Sequence, residues 1–176
     1  TEPTASLDVA LAHAARLLGT DPGLAAEQAT EILGVVGDHP LALLLLGMSH
    51  TARGDPQRAL EILTPLAAAQ PRWAQAQLES GLALAGIGRC DESIAAIRRA
   101  VALKPDLPGA WLALADQLAT QGETDAADAP LTAVLDFQRR RGDGLLWLGA
   151  EKLVLAHWAP LLASAARASG LRLPNS

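Results

Sequence analysis

Along the chain, apolar residues recur at spacings of three and four inside stretches of about a dozen residues, and short breaks with Gly, Asp or Pro separate the stretches. No long segment alternates apolar and polar residues in the period of two that a half-buried strand needs. The pattern predicts helices joined by tight turns. Its densest run, Leu41 to Leu46, holds six apolar residues, far short of the ~20 that cross a bilayer. Ser49, His50 and Arg53 follow at once, so the run reads as part of a helix in a soluble domain.

The stretches repeat with a step of 34 residues: Gly47 falls on Gly81, Gly54 on Gly88 and Gly122, Ala59 on Ser93 and Ala127, and Pro71 on Pro105. Leu63, Ile97 and Leu131 keep the same phase. Two helices of ~12 to 14 residues with short turns fill such a unit. Asp55-Pro56 supplies an N-cap and a first-turn proline, Asp91 and Thr124 are expected to cap the equivalent helices, and Gly54, Gly88 and Gly122 stand where the preceding helix should stop. Gly47 and Gly81 fall inside helices, where Gly costs ~1 kcal/mol relative to Ala, and predict a close approach of the paired helix. Ala115 holds that place in the third unit.

These residues resemble the tetratricopeptide repeat family, whose 34-residue pattern is W-x-x-L-G-x-x-Y followed by G, A, F, A and P. Leu43, Leu46, Gly47, His50, Gly54, Ala59, Leu63, Leu66 and Pro71 carry the likeness in the first clear unit. Gly81, Leu84, Gly88, Ser93, Ile97, Ala100 and Pro105 carry it in the second, with Gln77 where an aromatic is usual. In the third it rests on Trp111, Leu114, Ala115, Leu118, Gly122, Ala127, Leu131 and Val134, with Arg139 in place of the proline. The resemblance implies an all-α, right-handed α-solenoid of antiparallel helix pairs over residues 1–142, with clear units at about 40–73, 74–107 and 108–141. A degenerate pair at about 6–37 has Asp21-Pro22 one period before Asp55-Pro56. Pro130 is expected to kink or shorten the second helix of the third unit.

Residues 143–176 form a different segment, an apolar helical tail broken by Glu151-Lys152, His157 and Pro160 and therefore unfit to span a membrane. Two readings stand: simple capping of the last unit, or capping with one face while Trp147 and Trp158 on the other make a second contact. That contact would be with the chain's own groove, a second copy of the chain or a further domain.

Composition supports the helical reading and excludes several functions. The 176 residues are 50% hydrophobic and 3% aromatic, with no Tyr and one Phe. A net charge of −5 and a single dense basic run, Arg139 to Arg141, argue against a nucleic-acid partner. Cys90 alone makes no disulfide, and Asp91 and Glu92 beside it disfavour a thiolate. His13, His39, His50 and His157 are scattered without ligand-spaced partners, and His50 takes the place of a packing aromatic. Glu123, Asp125 and Asp128 form an acidic cluster that a helix dipole accounts for. The expectation is a chain without catalytic residues, metal or cofactor. The opening TEPTASLDVA has no basic region leading into an apolar core, and a cytoplasmic bacterial protein is expected.

The resemblance implies that the first helix of each unit lines a concave groove. On this chain the groove positions are Leu44, Met48 and Thr51, then Gln75, Leu78, Glu79 and Leu82, then Leu112, Asp116 and Thr120. Chaperone-binding members of the family grip a terminal carboxylate with Lys, Arg and Asn, and the residues here lack that clamp. An apolar groove with a flexible Met favours an apolar or amphipathic peptide, or the chain's own tail. The expected function is a protein-interaction scaffold or adaptor. A rival reading makes the chain the N-terminal module of a larger bacterial enzyme: LAAEQATEIL, ALEILTPLAAAQP and AIRRAVALKPDLPGAWLALAD resemble the repeat region preceding some bacterial sulfotransferase domains.

Overall fold

The computed structural model describes residues 3 to 123, 126, 127, 129, 130 and 132 to 134. Its helices are α1 (Pro3–Leu18), α2 (Pro22–Val36), α3 (Pro40–Ala52), α4 (Pro56–Ala69), α5 (Ala74–Gly86), α6 (Cys90–Leu103) and α7 (Pro108–Thr120). Further helical residues lie between 126 and 134, and no strand occurs among the described residues. The chain divides into two units, Thr1–Lys104 with α1 to α6 and Pro105–Ser176 with α7.

Local chemistry sets the helix ends. Asp21 caps α2 by accepting from the Gly23 and Leu24 N–H groups at 3.0 and 3.1 Å, and Asp55 caps α4 by accepting from Arg58 N–H at 3.3 Å. Proline occupies the first turn of both helices. Gly54, Gly88 and Gly122 have φ of 77, 79 and 83°, the left-handed conformation that stops a helix at low cost in glycine. Asp91, expected as a cap, instead lies within the first turn of α6, whose N-cap is Arg89. The 34-residue step from Asp55 lands on Arg89, which pairs with Glu92 and makes no side-chain cap.

In the first unit each helix packs on its chain neighbour, and the first helices of successive pairs also touch, α1 on α3 and α3 on α5. One core cluster joins Leu11 and Ala14 of α1, Ala29 and Ile32 of α2, and Ala42 and Leu45 of α3. The next joins Leu44 of α3, Ala59, Leu63, Leu66 and Ala67 of α4, and Ala76 and Ala83 of α5. Each of these two clusters thus needs one pair plus the first helix of the following pair, the nearest-neighbour construction of a solenoid.

The two interior glycines sit at the helix contacts. A Cβ on Gly47 would lie 2.5 Å from Leu63 Cγ, and one on Gly81 would lie 2.7 Å from Ile97 Cγ1 and 3.2 Å from the Ser93 carbonyl oxygen. Close approach of α4 to α3 and of α6 to α5 offsets the glycine penalty. Ser93 replaces the alanine of the first pair, and its hydroxyl donates to the Gly81 carbonyl at 2.8 Å across the same contact.

In the second unit, Trp111 Nε1 donates to the Pro105 carbonyl at 2.8 Å and ties the start of α7 to the loop before it. Ala129, Pro130 and Thr132 to Val134 are helical, and Pro130 is buried. Thr124, Asp125, Asp128 and the whole of 143–176, with Trp147 and Trp158, lie outside the described residues.

Candidate functional site

The groove positions read from the sequence are divided between the two units. In the first, Leu44 is 3% and Leu78 4% exposed, and Leu44 belongs to the core shared by α3, α4 and α5. Met48, Thr51, Gln75 and Leu82 are half-buried. Met48 and Leu82 occupy the same place in successive units, on α3 and α5, which are in contact. Thr51 turns its hydroxyl back to the Gly47 carbonyl at 3.2 Å, and its methyl remains for contact. In the second unit Leu112 is buried and Asp116 half-buried, while Thr120 is exposed and donates to the Asp116 carbonyl at 2.8 Å.

Glu79 is the unusual member. It is 6% exposed, and burial pushes its carboxyl up to about 7, only partly offset by the Gln75 amide that donates to it at 2.7 Å. At neutral pH it exchanges between a neutral acid and an anion, the first able to donate a hydrogen bond and the second only to accept. On α3, burial also lowers the pKa of the half-buried His50, the Asp55 carboxylate opposing that shift.

Among the described residues no group of three or more His, Cys, Asp or Glu side chains could hold a metal, and no helix is long and apolar enough to cross a membrane. Cys90 is half-buried as the first residue of α6.

The opposite stripe of α5, which the groove reading did not single out, carries a second polar assembly. Gln77 is 5% and Ser80 7% exposed, and both line a cleft between α4 and α6. The only sequence signal for it was Gln77 in the place of an aromatic.

A family model described as tetratricopeptide repeat matches residues 44–108 and 78–144, together more than half of the chain. The chain belongs to the tetratricopeptide repeat family. Solved structures agree with that fold: MamA of Desulfovibrio magneticus RS-1, from its residue 41 to the end, superposes with a TM-score of 0.67 at 22% identity over 78% of each chain. MamA MSR-1 gives 0.61 at 21% identity over 80% of this chain and 82% of its own. A further MamA crystal structure gives 0.64 at 19% identity over 77% and 80%. No curated protein matches the chain by sequence. At these identities the tetratricopeptide repeat architecture is what is shared.

Proposed function

We propose that this tetratricopeptide repeat chain is a non-catalytic interaction scaffold that binds an apolar or amphipathic peptide segment along the first-helix stripe. The observation that carries the reading is the pair Met48 and Leu82, half-buried at equivalent places on the touching helices α3 and α5. Beside them, Thr51, Gln75 and the Glu79 carboxyl offer polar groups at helical spacing. An apolar side chain inserted between Met48 and Leu82 gains ~1.5 to 3 kcal/mol if fully buried, and a thioether adapts to its shape. With no basic clamp in the stripe, apolar side chains rather than a terminal carboxylate dominate recognition.

A cross-linked pull-down from host lysate tests the reading, comparing the chain with a Met48→Glu, Leu82→Glu variant whose circular dichroism is unchanged. Specific partners captured by the unmodified chain and lost in the variant are expected. The same partners captured by both would place binding elsewhere on the protein.

A further inference from the structure

Pro71 follows Ala67 by four residues and has no N–H, so the Ala67 carbonyl at the end of α4 has no partner within its own helix. Gln77 Nε2 donates to that carbonyl at 3.2 Å, and Gln77 Oε1 accepts from Arg99 Nε at 3.1 Å. Both ends of a buried amide are therefore committed, and the guanidinium of Arg99 is held at its base by a fixed acceptor. No carboxylate pairs with it among the described residues.

Arg99 lies on a cleft of about 480 Å³ between α4 and α6, with α5 as its floor. Ala67, Leu84 and Ala95 give the cleft apolar walls, and Ser80 lies in its floor, nearly buried, with a hydroxyl that has no hydrogen-bond partner among the described residues. The other cation, Arg89, is already closed by a two-pronged bond to Glu92 at 2.6 and 2.5 Å. In a chain of net charge −5, the cleft thus presents one positioned and unpaired guanidinium beside an unused hydroxyl.

We propose that this cleft is a second binding site, for an extended peptide carrying an Asp or Glu side chain whose carboxylate pairs with Arg99. Guanidinium and carboxylate match in geometry, and a guanidinium held in advance loses little freedom on binding. From Arg89 to Arg99 the α6 wall is ~15 Å long at ~1.5 Å per residue, which accommodates about four or five extended residues at ~3.3 Å each. At the far end Arg89 and Glu92 neutralise each other, so the favoured segment carries one acid, opposite Arg99, and needs no second charge. The site goes beyond the first-helix stripe: Gln77, Ser80 and Leu84 lie on the side of α5 opposite Leu78, Glu79 and Leu82.

The test uses synthetic heptapeptides capped at both ends, in which a single Glu is moved through an otherwise uncharged sequence, each paired with its Gln twin. Binding to the full chain is read by fluorescence anisotropy at low salt. At least one Glu peptide is expected to bind about tenfold more tightly than its twin, as charged hydrogen bonds of this kind provide. That preference should vanish in Arg99→Met, a change at an exposed position that leaves circular dichroism intact, and weaken in Gln77→Met, which frees the guanidinium. It should persist in Met48→Glu, Leu82→Glu, so loss of the groove reading would leave it untouched. Equal binding of every twin pair, a preference that survives Arg99→Met, or a preference lost only in the groove variant would overturn the proposal.

Discussion

Leu43-Leu44-Leu45-Leu46 and Gln77-Leu78-Glu79-Ser80 occupy the same four places in successive units, and both are turned into the same α-helical geometry. In the first unit the interior is apolar: Leu44 and Leu45 are buried in two successive core clusters. In the second, Leu78 keeps the buried place of Leu44, Glu79 is buried in the place of Leu45, and Gln77 and Ser80 are buried where Leu43 and Leu46 are half-buried, while Ser93 adds a hydrogen bond across the helix pair. The helix contact itself is the same in both, a large aliphatic side chain against a glycine: Leu63 on Gly47, Ile97 on Gly81. The difference teaches that this contact and its alanine surroundings hold a unit together, and the remaining interior places are free to carry polar groups.

The strongest way to break the comparison is at the shared contact. Leu63→Ala and Ile97→Ala should each cost ~2 to 5 kcal/mol by urea denaturation, because both side chains are fully buried and leave cavities. Adding Gly47→Ala to Leu63→Ala should restore part of the loss, since the new methyl enters the vacated space. In the second pair Gly81→Ala should restore less, because the Ser93 carbonyl oxygen also crowds that site and does not leave with Ile97.

Next in size is the polar substitution itself. The Glu79 carboxyl is raised from 4.5 to about 7 in the folded chain, so the fold retains a proton that the unfolded chain gives up. Stability should fall as pH rises from about 4.5 to about 7, and level off above, by an amount on the order of 3 kcal/mol. Glu79→Gln, measured against the unmodified chain by thermal melting at pH 5 and pH 8, should remove that fall. The comparison also isolates Glu79 from His50, whose lowered pKa acts in the opposite direction, destabilising the fold as pH drops through its range.

The smallest effect distinguishes the helix starts. Asp55→Ala should cost ~1 kcal/mol, the usual loss for a capping carboxylate. The same change at Arg89, which supplies no cap and only a surface ion pair, should shift the melting temperature less.

The fold was legible because its determinants are periodic and local. Asp21 and Asp55 before proline, and Gly54, Gly88 and Gly122 after helices, are chemistry that acts within four residues. Gly47 and Gly81 could be read as close approaches because their phase agreed across units. Asp91 misled because capping depends on one position, and the helix begins two residues earlier than its place suggested. The candidate sites were harder to read. Leu44, Leu78 and Met48 look alike in sequence, yet only neighbouring helices decide that the two leucines are buried and the methionine half-buried. The Gln77 to Arg99 bond spans 22 residues and has no periodic signal at all.

A proline that ends one helix without an N–H thereby ties three helices into one line, since Gln77 of α5 bonds the Ala67 carbonyl of α4 and Arg99 of α6. In a linear array each repeat unfolds according to its own stability and its coupling to the next. This bond is coupling of that kind, crossing from one repeat into its neighbour. Amide exchange in the last turn of α4 should therefore follow the opening of α5 and α6 rather than the fraying of an isolated helix end, and Gln77→Leu should uncouple the two.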